Sequence, residues 1–400
     1  MSSTAEQFVL APLEENLKGT KAAAAPAISC SVVSSVERLA ALGAEWQTLE
    51  QSAAANHQFF QTFAWCMHWV RAAKELRRDA GLRVITVRDA GRLVLVWPLC
   101  MDKGRFGTTA TWLGEPLTQY GDVLVEDGPQ RSRWIDAAWS TALALEGVDV
   151  LWLRRVRADA AIRPLLAAAA RQLPEMTEAL AMTMATASTW ADVQARFKPK
   201  LVKNRRRHRK RICERGDLQF IVAEHSTRAL DLAKQAITFK RAWIRDRGLA
   251  FDPFKDAVYR EALWRMARGA EPKVACRVFA HELDGEPTAI DIAFTFKGRH
   301  YAHIAAMNLA YEAFGPGGLL TQDIMQSAFE HGEHCYDLMA PHAAYKEEWT
   351  DTRTAVYAYA QPLTFKGWLL VAVYFGGLRP KLKALVNRMP SRLRRMLLRS

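Results

Sequence analysis

Hydrophobic periodicity writes one series of elements twice along this chain of 400 residues. The first half reads as a strand at 28–33, helices at 36–51 and 61–76, and strands at 82–89, 92–101, 108–113 and 121–125. A helix at 132–145, a strand at 149–156, a helix at 161–172 and an extended stretch at 176–187 follow. The second half reads as a strand at 218–223, helices at 226–247 and 253–268, and strands at 274–283, 287–296 and 299–308. It ends with a helix at 318–331, a strand at 334–339, a short helix around 344–350 and a strand at 352–361. Strands in series flanked by helices predict an α+β fold, here as tandem domains with little residue identity between them.

The boundary falls at about residue 188, giving domains over 28–188 and 189–362. Residues 1–27 are rich in Ala, Ser and Thr without periodicity and read as a disordered leader, with no secretory signal pattern. Half of the residues are hydrophobic, which excludes a wholly disordered chain. The apolar run at 367–378 is shorter than a membrane span requires. The six cysteines are far apart and form no CxxC, which points to a reducing cytoplasm and against a disulfide framework or zinc ribbon.

The net charge of +13 is concentrated in two places. Residues 198–211 hold nine Lys or Arg and no acid, and 379–399 hold eight and no acid. Those seventeen charges leave the rest of the chain at −4, so the body is mildly acidic with two basic patches. This suits anionic ligands or an anionic surface met at two sites. The first patch, a basic entry segment to the second domain, would place charge all round a helix. It lacks any zinc knuckle, helix-turn-helix or stacking motif, so nucleic acid is a minor expectation. The second follows the apolar stretch 368–375, and the amphipathic tail 363–400 is expected to lie on an anionic membrane, at the inner face of a cytoplasmic cell boundary. A closing helix packed on the domain is the competing expectation.

The strand at 299–308 leads to Gly315-Pro316-Gly317-Gly318 and then directly into a helix beginning at Leu319. Glycines let backbone turn tightly and approach a ligand, and the first amides of a helix are unpaired and sit at its positive dipole end. Gly315, Gly317, Gly318 and Leu319 are therefore candidate ligands of a diphosphate. The turn is neither a P-loop nor a GxGxxG fingerprint.

The second half resembles a GNAT acyltransferase domain in element order. More narrowly, Pro316-Gly317-Gly318-Leu319-Leu320, Tyr336-Asp337-Leu338 and Tyr345-Lys346-Glu347-Glu348-Trp349 resemble motifs of the GNAT-type cellulose-biosynthesis acetyltransferases (CelD/BcsL-like), relatives of the FemABX aminoacyl transferases. The basic segment and the tandem arrangement are also similar. Ala340-Pro341-His342-Ala343-Ala344 departs from the Gly-Asp that many relatives carry before Tyr-Lys. The resemblance implies acyl-CoA as co-substrate, gripped at the glycine turn, and an amine on a small molecule, sugar or polysaccharide precursor as acceptor. It implies an oxyanion donor among the backbone amides of 303–307. The rivals are an aminoacyl-tRNA donor, a nucleic-acid-binding protein and an inactive scaffold of polysaccharide synthesis.

Direct acyl transfer needs a deprotonated amine, a polarised carbonyl and a proton for the leaving thiolate. The side-chain candidates are Asp291, Tyr301, His303 and Tyr345, with Asp337 beside them and Lys346 as a point charge for phosphate. Asp291 sits in the apolar strand Ala289-Ile290-Asp291-Ile292-Ala293, where alternation sets it opposite Ile290 and Ile292. A two-residue turn at Gly298-Arg299 would pair Phe294 with His303 and put His303 on the face away from Asp291, unless a bulge shifts the register. Six of the ten histidines lie between His281 and His342, but the three-residue spacings His300/His303 and His331/His334 face apart, so no metal is expected.

Overall fold

The structure is a computed structural model that describes residues 28–249 and 251–378. The leader at 1–27 and the basic stretch from residue 379 onward lie outside the described residues.

Among the described residues fifteen strands form two sheets. They are β1 (Ile28–Val33), β2 (Val84–Asp89), β3 (Arg92–Trp97), β4 (Leu99–Gly104), β5 (Gly107–Trp112), β6 (Leu124–Val125), β7 (Val150–Arg157) and β8 (Arg171–Gln172). The remainder are β9 (Thr177–Thr183), β10 (Leu218–Glu224), β11 (Cys276–Leu283), β12 (Glu286–Phe296), β13 (Arg299–Met307), β14 (Cys335–Met339) and β15 (Thr352–Pro362). The smaller sheet has the order β1-β2-β3-β6. The larger runs β10-β11-β12-β13-β14-β9-β15-β7-β5-β4, with β8 beside β15.

The larger sheet passes through both halves. β9, from the first half, fits between β14 and β15 of the second, and β15 then pairs with β7. The stretch expected as one strand over 92–101 is two strands broken at Pro98. Proline has no N–H to give to a ladder, and β3 and β4 on either side of it join different sheets.

Alternation on β12 sorts its side chains as the pattern predicts. Ile290, Ile292 and Phe294 face a core that includes the long helix Thr227–Asp246 and aromatic residues of the first half. Phe294 meets Phe59 and Trp65 at ring distances of 5.3 Å. Ala289 and Ala293 face the other way, against the helix Pro316–Glu330. Small residues on that face let this helix approach the sheet.

The two halves are tied by a buried charge cluster. Asp337 on β14 accepts from the Tyr120 hydroxyl at 3.0 Å and from Arg299 Nη1 at 2.9 Å, and lies 3.7 Å from Arg157 Nη1. Its Oδ1 also accepts from the Met339 amide at 2.7 Å. Asp337 is fully buried, so these partners take the place of water. Replacing it with Ala takes the carboxylate away from two guanidinium groups, leaving Arg157 with Asp159 and Arg299 with Asn56. Asp337→Ala is expected to cost about 3–5 kcal/mol in urea unfolding monitored by tryptophan fluorescence.

Candidate functional site

β13 and β14 run parallel over only three pairs, from Arg299 with Cys335 to Tyr301 with Asp337. β13 then continues to Met307 without β14 beside it. On its other side the β12 register shifts between Ile292 and Ala293, which leaves His303 as an extra residue, a bulge. The turn is Lys297-Gly298, one residue earlier than the pairing expected for His303; Phe294 pairs with Tyr301.

A cavity of about 440 Å³ opens where the strands part. Ala305, Ala306 and Met307 line it from β13, Lys240 and Trp243 from the long helix, and Gly315, Gly317, Gly318 and Thr321 from the glycine turn. Tyr345, Glu348 and Trp349 close it from beyond β14, and Arg205 reaches in from the basic segment. Lys240 Nζ donates to the Ala305 carbonyl at 2.8 Å. In a strand, one residue's N–H and C=O point to the same side. The Ala305 N–H therefore lies on the open edge, along the cavity.

The basic segment is the helix Pro199–Cys213, and its charge is not spread evenly round the axis. Leu201 and Ile212 are buried, and two arginines turn inward. Arg209 Nη2 holds Asp323 at 2.6 Å, and Asp323 also takes His281 Nε2 at 2.8 Å. Arg205 lies over the Trp349 ring at 5.5 Å and donates to the Gly315 carbonyl at 3.2 Å. Its Nε has no hydrogen-bond partner among the described residues. The outward face carries Lys200, Lys203, Arg206, Arg207 and Lys210.

At the turn, Gly315 adopts φ +59°, a left-handed conformation that favours glycine. A Cβ on Gly318 would stand 2.0 Å from Arg205 Nη1, so the guanidinium lies against bare backbone. A Cβ on Gly317 would meet nothing within 4 Å. The turn is thus covered at Gly318 by Arg205 and at Gly315 by His208, and open at Gly317. The amides of Gly318 and Leu319 reach back to the Gly315 carbonyl at 3.2 and 3.3 Å, whereas the Gly317 amide has no such bond among the described residues. Leu319 itself is buried and contributes packing.

Asp291 lies one layer below the cavity, opposite Ala305 across the β12–β13 ladder. It is 3% exposed and its Oδ1 has no hydrogen-bond partner among the described residues. Burial pushes its carboxyl up to about 7, against the pull of Lys240. Burial lowers the Lys240 ammonium, with Asp291 opposing. Tyr345 is more than half exposed, yet desolvation and the Asp291 carboxylate push its phenol up to about 12. At neutral pH it is a hydroxyl that can donate.

Three expected site residues are elsewhere. Tyr301 is fully buried and its hydroxyl donates to the Asn56 carbonyl of the first half. His303 packs among Phe60, Trp65 and Phe294, with Nε2 at 3.1 Å from the Leu117 carbonyl. Burial lowers its pKa to about 4, so the ring stays neutral. The bulge turns His303 toward the interface between the halves rather than toward Asp291. Lys346 is no surface charge awaiting phosphate. It is buried, with Nζ donating to the carbonyls of Met339 and Pro341 at 2.9 Å each. Desolvation lowers it to about 8, and two of its three donors hold the loop after β14.

Sequence reasoning missed Lys240, Trp243 and the inward role of Arg205. Lys240 and Trp243 lie in a long amphipathic helix without a motif, and only the parting of the strands exposes them to the site. Among the described residues no group of three or more His, Cys, Asp or Glu is placed to hold a metal.

A larger cavity of about 710 Å³ lies between the halves, lined by Asp102, Thr111, Glu115 and Arg154 from the first and Phe251 and Asp252 from the second. Glu115 is held by Arg154 and by Thr111 Oγ1 at 2.9 Å.

This geometry defines a class: a strand pair that parts, a glycine turn at a helix start, and a cavity between them. Residues 199–347 match the family model described as an acetyltransferase (GNAT) domain, which makes the chain an acyltransferase. The solved structure of FemX is 13% identical with a TM-score of 0.57, covering 83% of this chain and 98% of its own. A protein of unknown function from Bacteroides thetaiotaomicron VPI-5482 is 10% identical with a TM-score of 0.50, covering 83% of this chain and all of its own. A tandem GNAT protein from the clavulanic acid biosynthesis pathway is 13% identical with a TM-score of 0.48, covering 84% and 99%. No curated protein matches the sequence. At such identities the likeness to FemX and to the Bacteroides thetaiotaomicron protein speaks for the fold alone.

Two outcomes follow for the site's framework. Gly317→Ala lies in a helical turn with open space, so it is expected to keep or raise stability by about 0.5–1 kcal/mol in thermal unfolding, whereas Gly318→Val must displace Arg205 and lower it. Asp291 binds a proton more tightly folded than unfolded, so its contribution to stability falls as pH rises from about 4 through 7. Asp291→Asn removes that penalty. The gap between about 7 and the ordinary 3.8 caps the gain at about 4 kcal/mol at pH 8, shrinking toward zero near pH 4 in denaturant melts.

Proposed function

We propose that the protein transfers an acyl group directly from acyl-CoA to an amine on a polar acceptor such as a sugar or envelope precursor. The observation that carries this reading is the cavity at the parted strands, with Gly317 open at a helix start beside Arg205. A diphosphate placed there would meet the Gly317 amide, the helix dipole and a guanidinium whose Nε lacks a partner. The pantetheine arm would follow the open edge of β13, with the thioester oxygen toward the Ala305 N–H.

In the reaction the amine nitrogen bonds to the thioester carbon and the C–S bond breaks. The amine's proton leaves toward Asp291, through solvent since the carboxyl lies below the cavity floor. The thiolate takes a proton from the Tyr345 hydroxyl, which solvent then restores. Lys240 fixes the β13 edge by holding the Ala305 carbonyl. The acceptor body is assigned to the larger cavity. The two linings share no residue; Arg241, next to Lys240 in the chain, holds Asp252 of the larger cavity at 2.9 Å.

Calorimetry with acetyl-CoA tests the donor. Binding in the wild type and loss by at least about 100-fold in Gly317→Glu, with cooperative unfolding kept, is the expected result; equal affinity defeats the assignment. The rate is expected to rise with pH through about 7, and Asp291→Asn to flatten that limb and lower kcat about 10²–10⁴-fold. An unchanged profile removes Asp291 from the reaction.

A second reading has its own observation. The outward basic face of the helix Pro199–Cys213 flanks the donor cavity and suits a polyanionic donor such as aminoacyl-tRNA. Turnover of charged tRNA but not acetyl-CoA, lost in Arg206→Glu/Arg207→Glu, would replace the first reading with this one.

A further inference from the structure

Twelve large hydrophobic side chains are exposed among the described residues, and five of them gather at one end of the molecule. Phe365 is 76% exposed, Trp368 54%, Leu369 44% and Val373 60%, all on the segment that follows β15. Phe106, 60% exposed, stands at the tip of the β4–β5 hairpin. The two segments touch. The Phe106 ring lies 6.0 Å from Tyr374, and a Cβ on Gly107 would stand 2.7 Å from Leu370. Phe365 and Trp368 stack at 6.0 Å.

The spacing of the outward residues is that of one helical face. The opposite face is used for packing: Gly367, Val371 and Phe375 are buried, and Phe375 rests on Trp152 at 4.8 Å. The segment is thus a docked closing helix whose outer face is uncovered among the described residues. Folding alone explains the inner face and leaves the outer aromatics unexplained.

Cations surround the patch. Lys366 is 61% exposed and lies 3.3 Å from Asp149, which the amide of Thr108 and the Thr364 hydroxyl also satisfy. Lys103 and Arg105 are exposed on the hairpin, with Arg105 5.8 Å from the Phe106 ring centre. In the sequence, eight Lys or Arg and no acid follow at 379–399. No helix among the described residues is long and apolar enough to cross a membrane.

We propose that this end of the molecule docks on an anionic lipid bilayer, with Phe106, Phe365, Trp368 and Val373 entering the interfacial layer and the flanking basic residues meeting lipid phosphates. Aromatic side chains favour that layer, and basic residues near it add attraction that salt screens. Hydrophobic insertion alone would not select lipid charge, and charge alone would not require exposed rings; the combination fits an anionic bilayer rather than a neutral partner. The proposal stands apart from the acyl-transfer reading, because none of these residues lines the donor cavity.

Flotation of the full chain with vesicles tests it. The protein is expected to float with phosphatidylcholine vesicles containing one quarter phosphatidylglycerol, about tenfold less with pure phosphatidylcholine, and less again at high salt. Phe365→Ser/Trp368→Ser and, separately, Phe106→Ser on the other segment should each lower the floated fraction severalfold, with melting temperature and acetyl-CoA affinity unchanged. Absent flotation, flotation indifferent to phosphatidylglycerol, or variants that float like the wild type would overturn the proposal. So would a wild-type dimer in sedimentation that both variants abolish, since a second copy would then cover the face. A melting temperature that falls in both variants would also overturn it, by assigning the patch to cover by the chain itself.

Discussion

The parting of β13 from β14 after three pairs governs what this protein can do. A sheet that stayed closed would spend the polar groups of both strands on each other. Here β13 is held from its other side and from below: the His303 bulge shifts its register against β12, and Tyr301 and His303 bond to carbonyls of the first half. Two residues expected to do chemistry therefore hold the strand that borders the site. The first half acts on the site mechanically, through the bulge and through Asp337, whose arginine partners come from β7 and from the start of β13 itself.

Low dielectric then sets the chemistry of what lies beneath. Asp291 is buried between Phe279 and Ala305 of the flanking strands, with its Oδ1 lacking a partner among the described residues, so its charge is costly and its pKa moves toward neutrality. Asp337 is more deeply buried still, but two arginines, a phenol and an amide surround its carboxyl. The contrast between these carboxylates is one of supply: donors were provided for one and withheld from the other. Leaving a buried carboxyl without donors costs stability.

Much of the fold was legible because periodicity reports burial. The alternation at 289–293 put Asp291 on the small-residue face, and the repeated order of elements gave α+β. The exchange of β9 into the other half's strands was not legible, since pairing partners distant in sequence leave no periodic mark. The glycine turn could be read from Gly315-Pro316-Gly317-Gly318, but its occupant could not. Arg205 looked like any member of a basic segment until the Trp349 ring and a glycine face fixed it. Lys346 misled for the converse reason: a lysine in a loop is ordinarily solvated, and only the carbonyls of Met339 and Pro341 reveal that this one is turned inward.

Arg205 changes what the turn offers. A bare helix start presents amides and a fraction of a charge, enough to orient an anion but weak against water. With a guanidinium laid against Gly318 and desolvated over Trp349, the same place carries a full charge whose direction is fixed. Burial disfavours that charge and lowers its pKa, and an anion bound there would offset that cost. The glycine at 318 is then required by the arginine, because a side chain there would push the guanidinium off the turn. The basic segment and the glycine turn, 110 residues apart between Arg205 and Gly315, form one device.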